Sequence, residues 1–342
     1  MKGNSKKKKE KKKTNTKRKE KYWKAYDIRY KNYDLRTTYT LILSITNMLN
    51  RPSTEGRKVG RTPVLPHNEY VVVLILKYIY KLSLRDLETL SNILHNRHID
   101  HSTYGKAFKR IDNWWLSTLL TFTYVIIDNL LNQPSNKLYM ADSTGVSINR
   151  LYDECIHRGK RTKRLVHDKL HILACRLRSK RVMKLKSMIS ISSDYYPEQG
   201  YIPIVSARWG GAYSSDSANL LEMVKQIDFL DNEYLLADGG YDCCELFEYL
   251  LQHNITPIVK TKEFKWKYHI RKVRKTIKSM FNKDWYRLRG IVESIFGGLE
   301  TKNRLKLDDK LVDSRCKSTI AVAIVHNILT LMRILVLTYD TK

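Results

Sequence analysis

At 342 residues the chain can hold one to three domains and a sizeable core, and its 42% hydrophobic content is that of an ordinary globular protein. Its formal charge of +29 is not ordinary: 63 Lys and Arg stand against 34 Asp and Glu. That excess points to a polyanionic partner, a nucleic acid rather than a membrane surface; a small basic structural protein is excluded by the length of the chain and by its carboxylate motifs. Residues 1–24 carry 13 Lys or Arg and two Glu, which leaves +18 on the rest of the chain, so the basicity is not confined to a tail. Five cysteines (Cys155, Cys175, Cys243, Cys244, Cys316) form no C-x-x-C and no paired framework. They read as reduced thiols of an intracellular protein and exclude a disulfide scaffold and a structural zinc site. The N-terminus has no apolar region, so no signal peptide is expected.

Residues 1–33, lysine-rich through residue 24, read as a disordered basic tail that either binds phosphate backbones non-specifically or serves only as a solubilising tail. A helical domain is expected over 34–132. The pattern is helical from Asp34 to Leu49, residues 51–66 form a loop rich in Pro, Gly and Arg, and His67 to Leu82 is strongly apolar. Ser83 N-caps SLRDLETLSNIL with Asp86 three residues on, close to a capping box. After the turn HNRHIDHS, Ser102 is the expected N-cap of a helix carrying Lys106, Lys109 and Arg110 outward. Two short helices across a turn, the second basic, give a helix-turn-helix with a recognition helix. Other all-helical domains share this pattern; the basic second helix favours DNA binding. Residues 116–132 form another apolar helix, and QPSN at 133–136 is a linker.

A second domain is expected over 136–338. KLYMADST ends an apolar run at Asp142, and EYLLADGGYD ends a similar run at Asp238. Between them GVSINRLY, Lys169–Arg178 and Val182–Ile191 read as strands of an antiparallel meander, and DYYPEQG (194–200) as a loop. A helix follows from Ala212 to Leu230, with Ser215 or Asp216 near its cap. Asp242 or Cys243 opens CCELFEYLLQH, and ITPIVK is a last short strand. Residues 263–285 are a basic connection in which Trp266 packs on the domain. His167 and His171 lie in a strand-like region and are structural or face DNA.

From Tyr286 to Leu305 one helix is expected. Leu288, Ile291, Val292, Ile295 and Leu299 line its apolar face; Tyr286, Arg289, Glu293 and Glu300 line a polar row. The apolar stretch Thr319–Thr338 contains His326, Asn327 and Arg333, which favours a buried helix over a membrane span.

Each aspartate ends a strand, where open α/β sheets place their ligand sites. If the two strands are parallel neighbours, Asp142 and Asp238 meet, and Glu293 joins them from a packed helix. Taken alone, Glu293 would suit any amphipathic helix with a solvated charged face. Three gathered carboxylates repel unless neutralised, and Mg²⁺ does so while binding substrate phosphate. Two such ions clamp the attacking and leaving oxygens of an in-line displacement at phosphorus.

These residues resemble the DDE transposases of bacterial and archaeal insertion sequences, in the insertion-sequence-four and -five superfamily. The resemblance spans about residues 136–338. It rests on ADST at Asp142, SDS at Asp216, LADGGYD at Asp238, Y-x2-R-x3-E at Tyr286, Arg289 and Glu293, and the pair His326–Asn327. Spacings of 96 and 55 residues separate the three carboxylates. The resemblance implies an α/β fold: a ribonuclease-H-like catalytic domain, its mixed five-stranded sheet flanked by helices, behind the all-helical N-terminal domain. Asp142, Asp238 and Glu293 would be the catalytic triad and hold two Mg²⁺ ions, with Mn²⁺ as an alternative. Tyr286 and Arg289 would orient Glu293 or contact the DNA end.

Family members cut double-stranded DNA at terminal inverted repeats and join the freed 3′-hydroxyls to target DNA, with no covalent protein–DNA intermediate. Water, then the 3′-hydroxyl, would be the nucleophile. A homodimer would bridge two ends, in the prokaryotic cytoplasm at the nucleoid, with no membrane partner. One position departs: the family has a basic residue seven positions after the glutamate, and here it is Glu300. Lys302 and Arg304 would reach phosphate from a shifted place. A catalytically inactive DNA-binding remnant or regulator, and a stand-alone nuclease, are the other readings. Asp216 reads as a helix cap.

Overall fold

A computed structural model describes residues 34–49, 63–131, 137–157, 160–177, 201–211, 213–227, 233–262, 272–302, 304–307, 309 and 311–339. The expected tail, the linker at 133–136, the strand at 182–191, the loop at 194–200 and Trp266 lie outside them, as do most of the loop at 51–66 and the side chain of His167.

Five helices come first: α1 (Leu35–Met48), α2 (His67–Tyr80), α3 (Leu84–His95), α4 (His101–Arg110) and α5 (Asn113–Leu131). Asp34 caps α1 by accepting from the Thr37 amide at 2.9 Å. The expected capping box opens α3: the Asp86 amide donates to Ser83 Oγ at 3.1 Å, and the Ser83 amide to Asp86 Oδ2 at 2.7 Å. α4 starts two residues earlier than Ser102 would dictate. Asp100 is its N-cap, accepting from the Ser102 amide at 2.7 Å.

The sheet contains β1 (Leu138–His157), β2 (Lys160–Arg176), β3 (Ile204–Gly210), β4 (Glu233–Ala237) and β5 (Ile255–Val259), in the order β3-β2-β1-β4-β5. The first three strands pair antiparallel; β1, β4 and β5 pair parallel. A sixth strand, β6 (Lys306–Leu307), pairs with β1 beyond β4, so the expected five become six. GVSINRLY is no separate strand, because β1 runs through it. The third strand of the meander is Ile204–Gly210, a stretch the sequence reading left unassigned. α6 (Asp216–Val224) follows β3 and α7 (Cys244–Gln252) follows β4. Then come α8 (Lys272–Met280), α9 (Lys283–Arg287), α10 (Gly290–Thr301) and α11 (Val312–Tyr339).

The helix expected from Tyr286 to Leu305 is therefore two. Between α9 and α10 the Leu288, Arg289, Ile291 and Val292 amides each bond the carbonyl three residues back, at 2.9–3.1 Å. This tight winding changes the pitch without reversing the chain, so Arg289 still lies one turn before Glu293.

One core joins the sheet, α1, α2, α5, α10 and α11; a smaller one (Leu65, Tyr70, Val73, Leu87, Ile99, Tyr104) lies under α3 and α4. The N-terminal helices thus share the main core with the sheet. α5 and α11 are long and apolar enough to cross a membrane by length and composition, but 78% of the qualifying α11 segment is buried inside the protein. Its buried Asn327 and its His326 have protein partners. Asn327 is wholly buried: its Oδ1 accepts from the Ile204 amide, and its Nδ2 donates to the Ile204 carbonyl, both at 2.7 Å. The same Nδ2 reaches Thr123 Oγ1 on α5 at 3.0 Å. His326 Nε2 bonds the Ile202 carbonyl at 2.9 Å.

Candidate active site

β1 and β4 enter the site as near copies, LYMAD beside YLLAD. Their parallel register pairs Leu138 with Tyr234, Tyr139 with Leu235 and Met140 with Leu236. Carried two residues further, the same register sets Asp142 beside Asp238, on strands about 4.8 Å apart. Buried residues (Tyr139, Met140, Ala141; Leu235, Leu236, Ala237) hold both strands up to that point. Asp238 closes its strand by accepting from the Gly240 amide at 2.7 Å, the N-cap of a short 3₁₀ turn.

Glu293 arrives from the first turn of α10, whose Val292, Ile295, Phe296 and Leu299 are buried against the core. Arg289 links the two elements: Nη1 lies 3.5 Å from Asp142 Oδ2, and Nη2 lies 3.3 Å from Glu293 Oε1. The Tyr286 ring stands 6.0 Å from the same guanidinium. Burial pushes the Asp142 carboxyl above its usual range. The Ser143 amide and Arg289 oppose this; the negative charges of Asp238 and Glu293 add to it. Asp142 therefore senses both of the other carboxylates, in a setting that favours added positive charge. The donors are all carboxylate oxygens, the ligand type of Mg²⁺ and Mn²⁺.

A second layer lies around Ser143. Asp216 accepts from Ser143 Oγ at 3.0 Å and from Lys169 Nζ at 3.0 Å, and stands 3.4 Å from Nδ1 of the fully buried His171. The helix cap is Ser215, not Asp216; that expectation is corrected. His171 Nε2 reaches Ser214 Oγ at 3.2 Å across the backbone of Gly210. A Cβ at Gly210 would come within 2.6 Å of that imidazole nitrogen, so the close approach requires glycine there. This network joins β1, β2 and α6 directly beside Asp142. Its long-range partners gave no sequence signal beyond the SDS motif.

Burial lowers the His171 and His326 imidazoles to about 4, from an ordinary 6.5. Both stay neutral in the fold and charge on unfolding. The unfolded chain thus binds more protons between pH 6.5 and 4, and stability falls as pH drops through that window. Urea unfolding at pH 5 should give a free energy about 3–4 kcal/mol below that at pH 7 from these two groups. A loss under about 1 kcal/mol would contradict their burial as neutral rings.

The remaining expected residues separate. Lys106, Lys109 and Arg110 are exposed on α4, remote in sequence from the triad. Lys302 is the C-cap residue of α10 and half-buried, and Glu300 is exposed. Arg304 is corrected from a DNA contact to a structural residue. It is buried, and its Nε and Nη2 donate to the Tyr78 and Ile79 carbonyls at the end of α2, both at 3.2 Å. Arg304→Gln should cost about 2 kcal/mol in urea unfolding, since the substitution leaves buried carbonyls short of donors. It should leave the salt dependence of DNA binding unchanged; a shallower dependence would restore Arg304 to the DNA surface.

Among the described residues, the group of metal-ligating atoms that lies close together is not the triad but one elsewhere. Donor atoms of Glu88, Asp100 and His101 sit within 4.8 Å of one another at the α3–α4 turn. His101 Nδ1 is 2.8 Å and His98 Nε2 3.3 Å from the Glu88 carboxylate. The triad does not form so tight a group, and the Arg289 guanidinium lies between Asp142 and Glu293.

Fold and site together define a mixed α/β protein whose acidic residues lie at the carboxyl end of β4 (Asp238) and within β1 (Asp142); β1 runs on to His157, so the expectation that both aspartates end their strands is corrected for Asp142. The sequence matches the transposase DDE domain over residues 141–330, and the chain belongs to that family of DNA transposases. An uncharacterized protein of Aquifex aeolicus (strain VF5) is 24% identical over 294 residues, covering 84% of each chain. Among solved structures, the piggyBac transposase synaptic complex with hairpin DNA aligns with a TM-score of 0.38 and 11% identity, over 88% of this chain and 75% of that one.

Proposed function

We propose that the chain is a transposase of the insertion-sequence-four and -five type. It binds the terminal inverted repeats of its own element, cuts there and joins the 3′-hydroxyl ends to target DNA. The observation that carries this reading is the parallel register of β1 on β4, which carried two residues on leads to Asp142 and Asp238, together with the Arg289 guanidinium between Asp142 and Glu293. Strand order and pairing directions support a ribonuclease-H-like catalytic domain.

Asp142, Asp238 and Glu293 are the residues that would hold divalent metal, two Mg²⁺ or Mn²⁺ ions. Bound there, the ions would supply Lewis-acid stabilisation of the oxygens around the scissile phosphorus. The protein's part is placement. Strand register fixes the two aspartates, and the Asp216–Lys169–His171 network fixes β1 beside Asp142. Arg289 holds Glu293 toward Asp142 and offers a guanidinium to phosphate, as Tyr286 steadies it from its ring face. The α3–α4 pair serves as a helix-turn-helix, with Lys106, Lys109 and Arg110 on phosphates. Lys302, at the C-terminal end of the helix that carries Glu293, serves the DNA end. The active form is a homodimer on two ends, in the cytoplasm at the nucleoid.

The test uses a labelled duplex carrying either terminus of the DNA that flanks the gene, incubated with Mg²⁺ or Ca²⁺ and resolved on a denaturing gel. A nick at one position with Mg²⁺ and none with Ca²⁺ is expected, followed by strand-transfer products when target DNA is added. Nicks without joined products would make the protein a nuclease of this fold. Binding without a nick would favour a DNA-binding remnant, the reading Glu300 supports, and Glu300→Lys would be the reversion to try.

A further inference from the structure

α8 carries Lys272, Lys275 and Lys278 on its solvent side, all exposed, while Ile277 is fully buried and Val273 and Arg274 are half-buried on the opposite side. Spacings of three residues place the lysines along one strip, about 9 Å from first to last. Several other lysines of the fold are neutralised: Lys137 by Asp128, Lys169 by Asp216, Lys317 by Asp313 and Lys225 by Glu222. Among the described residues, none of the three α8 lysines is in an ion pair; the exposed Glu245 and Glu248 of α7 do not pair with them.

The strip is fixed relative to the triad at both ends. Arg274 Nε, on the buried side of α8, donates at 2.8 Å to Oδ1 of the fully buried Asp242 side chain, four residues beyond Asp238. The Lys262 amide donates to the other oxygen of the same carboxylate at 2.8 Å. Downstream, α8 leads through α9 directly to Arg289 and Glu293.

We propose that this lysine strip tracks the phosphate backbone of the duplex whose scissile phosphate lies at Asp142, Asp238 and Glu293. The inference rests on the transposase reading and names a DNA surface for it. A row of uncompensated ammonium groups on a rigid helix matches a row of phosphates, and condensed counterions are released when the two meet. Contacts of this kind position the duplex without reading its sequence.

The experiment measures affinity of the full chain for the flanking-DNA duplex across a series of NaCl concentrations. The variants are Lys272→Gln/Lys275→Gln/Lys278→Gln together, Lys275→Gln alone, and Lys225→Gln as a comparison, each with a melting curve. The triple variant should lower the slope of log affinity against log salt by about 2–3, and the single variant by about 1, with unchanged melting. Lys225→Gln should keep the wild-type slope. A wild-type slope in the triple variant overturns the inference and leaves DNA binding standing. Loss confined to single-stranded RNA, with the duplex unaffected, also overturns it. A wild-type chain without salt-dependent duplex binding overturns the transposase reading, and this inference with it.

Discussion

Asp142→Asn should reduce Mg²⁺-dependent nicking of the flanking duplex by at least about a thousandfold, equivalent to about 4 kcal/mol of transition-state stabilisation. The substitution keeps the shape of the side chain and an oxygen to accept from the Ser143 amide. It removes one negative charge from a group of three. Because burial already holds the Asp142 carboxyl above its usual range, its ionised form costs the fold stability near neutral pH. The asparagine variant should therefore melt at the same temperature as the parent or higher. Duplex affinity should be unchanged, since the strip on α8 and the basic face of α4 are untouched. Asp238→Asn should lose nicking to a similar extent, and its remaining side-chain oxygen can still accept from the Gly240 amide. Retained cleavage in either variant would remove that residue from the catalytic group. Lost cleavage with a lowered melting temperature would make the effect structural.

The acidic centre was legible because its strands repeat one another. An apolar run, then Ala, then Asp, recurs 96 residues later, and that offset is the register of β1 on β4. The helix carrying Glu293 was legible from its apolar period, but its start was not. The tight turn at Leu288–Arg289 has helix-like backbone, so the spacing survives while the hydrogen bonds change. Arg304 was misread because charge in a sequence says nothing of which backbone carbonyls lie within reach. Its acceptors are 225 and 226 residues away in the chain. Asp216 was misread for the same reason: Ser143 and Lys169 lie 73 and 47 residues from it. β3 escaped because its apolar run is short and follows Pro203, and the group that satisfies its outer edge is 123 residues downstream.

That group makes Asn327 the position of largest expected effect on stability. β3 pairs with β2 on one side only, and an unpaired edge leaves backbone donors and acceptors to be satisfied elsewhere. At Ile204 the amide and carbonyl both turn away from β2 to the Asn327 carboxamide, which serves them as a neighbouring strand would. The same carboxamide reaches Thr123 on α5, so one side chain on α11 joins the sheet edge and a packed helix. Asn327→Leu fills a similar volume but leaves the Ile204 amide and carbonyl without partners in a dry interior. Each orphaned group costs about 1–3 kcal/mol, so urea unfolding should show a loss of about 3 kcal/mol or more. Thr123→Val removes a single acceptor while the carboxamide keeps its bonds to Ile204, and should cost only about 1 kcal/mol. Equal losses for the two variants would mean that the α5 contact, rather than the strand edge, carries the energy. A loss below about 1 kcal/mol for Asn327→Leu would mean that water or a shifted β3 satisfies Ile204, and that the core around α11 holds the edge by packing alone.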